Sequence, residues 1–256
     1  MKNFSEPAKS CPFAKNKVTC PKYPNMNVSE SYNFKLYYFG IAGKAEAIRW
    51  AFHYLDIPFE DVKFDYKTFL QMKGEGKFAF GQVPALEVTN KEKGNSDQLV
   101  QSGSILRFIS KLIFKNNFYP RCPVTAGKVD AILDQEADAF AAYRTIHYKD
   151  RNGFKDMTPE DQSKFKQVIN DEVIPAQFEK LCALLQKSET GWLAGTSGPS
   201  IADFHWVATL MAIQRGWTGN KEALKKFPEL VGLVEKFLAV PEIADYYKNN
   251  EFKIWW

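Results

Sequence analysis

The sequence predicts an α/β domain of order β-α-β-α-β-β-α followed by an all-α helical domain. Three observations carry that prediction. Period-two and period-3.6 hydrophobic patterns alternate between residue 34 and about residue 113; strand-like patterns stop around "YPRCPVTAG" (119–127); and long helical patterns run on from there. The expected divisions are an irregular N-terminal extension over 1–31, the α/β domain over 32–117 and the helical domain over 118–256.

Residues 1–31 combine Pro, Lys, Ser and Asn without sustained periodicity, which reads as an irregular arm. Phe34, Leu36 and Tyr38 then alternate with Lys35, Tyr37 and Phe39, as a strand requires, so the adjacent tyrosines face opposite sides of the sheet. Ile48, Ala51, Phe52 and Leu55 fall at i, i+3, i+4 and i+7 and predict a helix over 44–55. "FEDVKFD" (59–65) alternates again. A β-α-β unit within about thirty residues implies parallel strands joined by a right-handed crossover.

"TFLQMKGEGKFAFGQ" has weak helical character broken by Gly74 and Gly76; "VPALEV" and "DQLV" flank a polar turn and predict a hairpin. Ile105, Phe108, Ile109, Leu112 and Ile113 give the helix that closes the domain. In the second half, helices are expected over about 128–150, 159–187, 200–215 and 228–248, with Pro175 kinking the second and Pro241 dividing the last. Ser200 and Asp203 have the spacing of a capping box, with Asp in place of the usual Glu.

With 256 residues and 45% apolar content the chain can supply two cores. It has no uninterrupted apolar stretch of about 18 residues and no compact apolar segment near its start, which points to a cytoplasmic protein without membrane insertion. Of the net charge of +4, residues 1–31 contribute five lysines against two glutamates, leaving the body nearly neutral; a nucleic-acid partner is not expected. Cys11, Cys20, Cys122 and Cys182 show neither C-x-x-C pairing nor metal-ligand spacing, so neither a disulfide framework nor a zinc site is expected and a reducing compartment fits.

"LYYFGIAGKAEAIRW", "GQVPALEV", "QSGSILRFIS" and "SIADFHW" carry the functional signal, because together and in this order they resemble the cytosolic glutathione transferases. The likeness is greatest to the tyrosine-type, sigma-like branch that includes prostaglandin D synthases, and it spans about residues 32–247. It implies a thioredoxin-like N-terminal domain that binds glutathione as co-substrate, a helical domain that holds a small-molecule electrophile, and a homodimer. Aromatic bulk on a half-buried strand would explain both tyrosines equally well from the residues alone. The resemblance separates them: it makes Tyr38 the catalytic hydroxyl and leaves Tyr37 as packing. A free thiol near pKa 8.5 is mostly protonated at neutral pH, and a phenolic O–H aimed at the sulfur favours the thiolate.

The same resemblance assigns the other candidates. Lys44 stands where an arginine often sits; its charge assists, without a bidentate role. Val83, before Pro84, would pair with the backbone of the tripeptide as an added strand, and Gln82 would bond the ligand or support the loop. Gln101 and Ser102 open a helix whose N-terminus suits the γ-glutamyl carboxylate, although Ser102 alone reads equally as an N-cap. Phe69 and Lys73 match the place of the glycyl carboxylate; a phenyl ring has no N–H to donate, so Lys73 carries more of that contact.

Asp130, Asp134 and Asp138 fall at i, i+4 and i+8; Asp138 best matches an aspartate that reaches the glutathione ammonium of the other subunit, while the other two also read as a solvated acidic face. No metal is predicted. Phe80 is a candidate aromatic key at the dimer contact, with packing on its own domain as the alternative. Ile41, Phe140, Tyr143 and Arg144 are candidate walls of the electrophile pocket, with core packing open for Phe140 and a capping role open for Trp255 and Trp256. No Cys lies between Tyr38 and Lys44, which disfavours dithiol chemistry, and His53, His147 and His205 read as ordinary helix residues.

The expected activity is thiolate attack on an electrophile, with peroxide reduction or prostanoid isomerisation as variants. The rival is a non-catalytic glutathione-transferase-like binding or structural subunit of a larger assembly, motivated by the basic, Cys-containing arm as a contact for another protein.

Overall fold

The alternating segment after residue 31 becomes strand β1 (Tyr32–Phe39), the centre of a four-stranded sheet of order β2-β1-β3-β4 in a computed structural model that describes residues 28–113, 115, 118–216 and 222–250. A four-residue helix α1 (Val28–Ser31) precedes it; so short a turn has no periodicity to read. β1 runs parallel to β2 (Glu60–Phe64) through the crossover helix α2 (Glu46–Tyr54), and antiparallel to β3 (Ala85–Asn90), which forms a hairpin with β4 (Ser96–Val100). The weakly patterned segment is a genuine helix, α3 (Tyr66–Gly74), started by Asp65, whose carboxylate accepts the Thr68 N–H at 2.8 Å. Helix α4 (Ser102–Leu112) closes the domain.

Strand parity places the two tyrosines as the alternation requires. Phe34, Leu36 and Tyr38 enter the main core with Ile48, Phe52, Ile105 and Leu106. Tyr37 instead joins Phe78 and Ala85 in a small second cluster on the side of α3.

The helical half departs from the sequence pattern in two places. The helix expected over 128–150 is split into α5 (Pro123–Ala139) and α6 (Ala141–His147) at Phe140, whose backbone leaves the helical region (φ −107°, ψ 10°) and whose ring is buried 6.2 Å from that of Trp206. The disruption expected at Pro175 is taken up as a π-helical stretch, Ile169–Val173, between α7 (Pro159–Val168) and α8 (Ile174–Gln186); the wider turn accommodates a residue that cannot donate to the i→i−4 ladder.

Helix α9 (Ile201–Gln214) is buried nearly all round, and α10 (Pro228–Leu238) and α11 (Pro241–Asn249) are separated at Pro241. The Ser200 N–H donates to Asp203 Oδ2 at 2.8 Å, and Asp203 Oδ1 accepts the Leu193 N–H at 2.8 Å, so the cap also ties down the preceding loop. Rings of Trp50, Tyr54, Phe118, Phe204 and Phe237 pack at 4.8–6.4 Å and join the two halves. Among the described residues, no helix is long and apolar enough to cross a membrane.

The cysteine reading needs correction. Cys122 is disulfide-bonded to a partner outside the described residues, and Cys182 is free and buried. A bridge between distant segments leaves no spacing signature in sequence. Because such bonds persist in oxidising compartments, cysteine spacing gives no support here for a reducing one.

Candidate active site

Strand register gathers the predicted residues at one edge of the sheet. The β1–β3 register ends with Tyr37 opposite Ala85, so Tyr38 and Phe39 continue past the last pair on the side where Pro84 and Val83 lead into β3. Ala85 is also paired with Val100, which brings Gln101 beside Pro84; Phe39 is paired with Phe64, which leads into α3. The C-terminal ends of β1, β2 and β4 and the start of β3 therefore converge, the place where open α/β sheets bind ligands.

Tyr38 is held from above by its own loop. Its hydroxyl accepts the backbone N–H of Lys44 at 3.0 Å. Gly43 makes this approach possible: it has φ +45°, and a Cβ there would lie 2.5 Å from the phenol oxygen. Gly43→Ala is expected to unseat the ring, lowering turnover about tenfold and stability by about 1–3 kcal/mol. Steady-state kinetics and denaturant unfolding check both, and unchanged turnover would show that the loop does not position the phenol.

Burial pushes the Tyr38 pKa up to about 12, against the Lys44 N–H and the Arg49 charge, which favour the phenolate. The group is a protonated phenol at neutral pH, with its own hydrogen available to donate.

Arg49 from α2 anchors this loop and was not singled out by sequence pattern. It is 1% exposed, and Nη1 donates to the carbonyls of Ile41 at 2.9 Å and Ala42 at 3.1 Å. Nη2 reaches the Phe39 carbonyl at 3.4 Å, and Nε donates to Asp61 at 2.9 Å. Its guanidinium carbon lies 5.8 Å from the centre of the Tyr38 ring. Glu46, also buried, pairs with Nη1 at 3.3 Å; burial still pushes its carboxyl up to about 7.

The remaining candidates in the sheet domain surround the same edge. The Val83–Pro84 peptide is cis, with Val83 half-buried and Gln82 exposed. Gln101 has φ 72° and ψ 119°, a conformation that a non-glycine residue rarely adopts, and it is Gln101 rather than Ser102 that stands at the N-cap of α4, with Ser102 first in the helix. Such strain marks a place where the surrounding structure dictates the backbone. Phe69 stacks among Phe39, Phe64 and Phe78 at 5.3–6.5 Å, so its ring is a wall. Lys73 bends over the loop that leads to Val83: a Cβ at Gly81 (φ +59°) would sit 3.0 Å from its Cε.

A cleft of about 660 Å³ opens beside this edge, lined by Phe39, Gly40, Ile41, Lys63, Phe64, Asp65 and Tyr66. Of the four residues expected to wall an electrophile pocket, only Ile41 lines it. Phe140 and Tyr143 are buried in the helical core, and Arg144 is committed to an ion pair.

That ion pair belongs to a residue sequence reading missed. Glu136 is 2% exposed; its Oε1 accepts from Lys44 Nζ at 2.6 Å, Arg144 Nη2 at 2.7 Å and Thr209 Oγ1 at 3.1 Å, and its Oε2 accepts from Arg144 Nη2 at 2.7 Å and His205 Nε2 at 3.3 Å. Burial works against its charge, but Lys44, His205 and Arg144 outweigh it and hold the carboxyl well below the usual carboxylate range. Burial lowers the pKa of His205, so its imidazole donates as a neutral ring. No local motif announces such a hub, whose partners come from 8 to 92 residues away.

The acidic stripe on α5 divides. Arg107 Nε pairs with Asp130 at 2.6 Å and Arg107 Nη2 with Asp134 at 2.8 Å, and the Tyr119 hydroxyl donates to Asp130 at 2.7 Å. Asp138 is exposed, and no described residue forms an ion pair with it. Phe80, 66% exposed, does not pack into its own domain. Trp255 and Trp256 lie outside the described residues, as does the arm over 1–27.

Comparison with known proteins finds relatives of both halves of the chain. Residues 34–111 match the family model for the glutathione S-transferase N-terminal domain, and residues 138–250 match a model for the C-terminal domain. Human hematopoietic prostaglandin D synthase is 30% identical over 226 residues, 85% of this chain and 96% of that protein. S-crystallin SL11 of Nototodarus sloanii is 26% identical over 85% of this chain and 97% of its own length. The crystal structure of a major nematode-specific transferase of Caenorhabditis elegans superposes with a TM-score of 0.69 at 26% identity, covering 87% of this chain and 99% of that one. The chain belongs to the glutathione S-transferase family.

Proposed function

We propose that the chain acts as a glutathione transferase in which the Tyr38 hydroxyl keeps the sulfur of bound glutathione ionised for attack on an electrophile. Glutathione is the co-substrate of the family. The observation that carries the role of Tyr38 is the hydrogen bond it accepts from the Lys44 N–H. With one lone pair engaged by a peptide donor, the phenol directs its own hydrogen outward, and donors linked in series strengthen one another. A pKa of about 12 rules out a base at neutral pH, so the thiol proton goes to solvent and Tyr38 donates to the thiolate that remains.

Lowering the sulfur pKa from about 8.5 by about two units raises the ionised fraction at pH 7 from about 3% to about three-quarters, for about 2.7 kcal/mol of preferential thiolate stabilisation. The thiolate then forms an S–C bond; a leaving group departs with its electron pair, or in an addition the product takes a proton from water. Prostanoid isomerisation is a variant of the same thiolate chemistry, in keeping with the name of the human relative.

The convergent edge suits an extended tripeptide. Val83 offers its backbone to the peptide, the strained Gln101 and the start of α4 suit the γ-glutamyl carboxylate, and Lys73 with Gln82 suits the glycyl end. The apolar cleft between Ile41 and Tyr66 takes the electrophile. The family is typically homodimeric; exposed Phe80 and Asp138 are the residues this reading gives to the partner subunit and to its bound ammonium.

Retention on immobilised glutathione followed by conjugation of 1-chloro-2,4-dinitrobenzene tests the reading. Capture and turnover together are expected; capture without turnover of several electrophiles would replace it with a binding role.

A further inference from the structure

Glu136 ties the loop after β1 to three helices of the second half: Lys44 comes from that loop, Glu136 from α5, Arg144 from α6, and His205 and Thr209 from α9. Every one of these partners is a donor, and the carboxylate is sealed from solvent. Two cations share it. Arg144 Nη1 also donates to the Ala137 carbonyl at 3.0 Å, and Lys44 stands in the loop after β1. The backbone N–H of Lys44 is the donor on Tyr38, so one residue links the buried carboxylate to the phenol.

We propose that Glu136 is a positioning residue for thiolate formation, acting through Lys44: by clamping the ammonium it holds residues 43–45 closed over Tyr38 and keeps the Lys44 charge beside the sulfur. The proposal rests on the reading of Tyr38 as the thiolate donor. It differs from a through-space effect in sign. Judged by charge alone, replacing Glu136 with Gln removes a negative group and makes the surroundings more positive, which favours a thiolate. Judged by position, the replacement releases Lys44, whose charge is disfavoured where burial and Arg144 already lower its pKa; the ammonium leaves and the loop opens. Arg49, Arg144, His205 and Tyr148 are the other charged or titratable groups in reach of this cluster or of Tyr38; the substitution replaces none of them, and loss of the carboxylate lowers the His205 pKa further, which keeps that ring neutral.

The experiment is a titration of bound glutathione by thiolate absorbance in the parent protein, Lys44→Met, Glu136→Gln and the double variant. Lys44→Met is expected to raise the apparent sulfur pKa by about one unit, a tenfold change in the ionisation constant. Glu136→Gln should raise it also. The double variant should match Lys44→Met, since the clamp has nothing left to hold. If Glu136→Gln lowers the sulfur pKa, or if the double variant lies below Lys44→Met, the proposal is overturned. The double variant removes one charge of each sign, so this comparison remains readable even if two unanswered cations stop Glu136→Gln from folding. A parent protein that shows no thiolate overturns the reading of Tyr38 together with this one, whereas a parent that does, with the wrong sign in the variants, overturns only this one.

Discussion

Tyr38→Phe is expected to lower kcat/KM for conjugation at pH 7 by about 25-fold, the ratio of the ionised fractions for sulfur pKa values of about 6.5 and about 8.5. The phenyl ring keeps the packing against Phe39, whose ring centre lies 5.4 Å away, and removes only the hydroxyl. It leaves the Lys44 N–H without its acceptor, a cost of about 1–3 kcal/mol at most. The signature lies in the pH dependence. Because the variant's sulfur ionises near its ordinary value, the deficit should approach about 100-fold below pH 6 and shrink almost to nothing by pH 9. A deficit that is constant across that range would mean that the hydroxyl acts on something other than sulfur ionisation.

Arg49→Leu should bring the largest loss of stability, about 3–5 kcal/mol, because it strips the partner from a buried carboxylate rather than exchanging a pair for apolar groups. Glu46 is fully buried, and the carbonyls of Phe39, Ile41 and Ala42 lose their donor at the same time. A fold of this kind has about 5–15 kcal/mol in total, so the variant stands near the threshold of folding.

The pH dependence has a definite sign. Burial places the Glu46 carboxyl at about 7 in the folded chain against an ordinary value of 4.5, so the native state holds its proton more tightly than the unfolded one. The stability this contributes is fully present below pH about 4.5 and is lost as pH rises through about 7. Without Arg49 the folded value moves higher still, and the loss extends further into the alkaline range. Denaturant unfolding at pH 5 and pH 8 should therefore show a larger deficit at pH 8, and equal deficits would rule out the buried-carboxylate account. Arg49→Lys should recover only part, since an ammonium cannot reach carbonyls and carboxylate in the fixed fork of a guanidinium.

How much of this was legible in the sequence depends on the length scale of each signal. The opposite faces of Tyr37 and Tyr38 follow from period-two geometry, and the order of elements through α4 follows from patterns within about a dozen residues. The Ser200–Asp203 cap was legible for the same reason: its partners are three residues apart. Features built from distant partners were not. Glu136 looks like any charged residue of α5 until Lys44, Thr209 and His205 meet it from 92, 73 and 69 residues away. Arg49 reads as one polar position on an amphipathic helix, with no sign that it turns back under the loop. The break at Phe140 has no Pro or Gly to mark it; Phe140, for which the sequence leaves core packing open, and Tyr143 are both buried.

The most direct measurement is the ultraviolet titration of glutathione bound to the intact protein and to Tyr38→Phe. The intact protein should show the sulfur ionising at about 6.5, and the variant should return it toward about 8.5. Identical titration curves for the two proteins would contradict the assignment of Tyr38, whatever their rates of turnover.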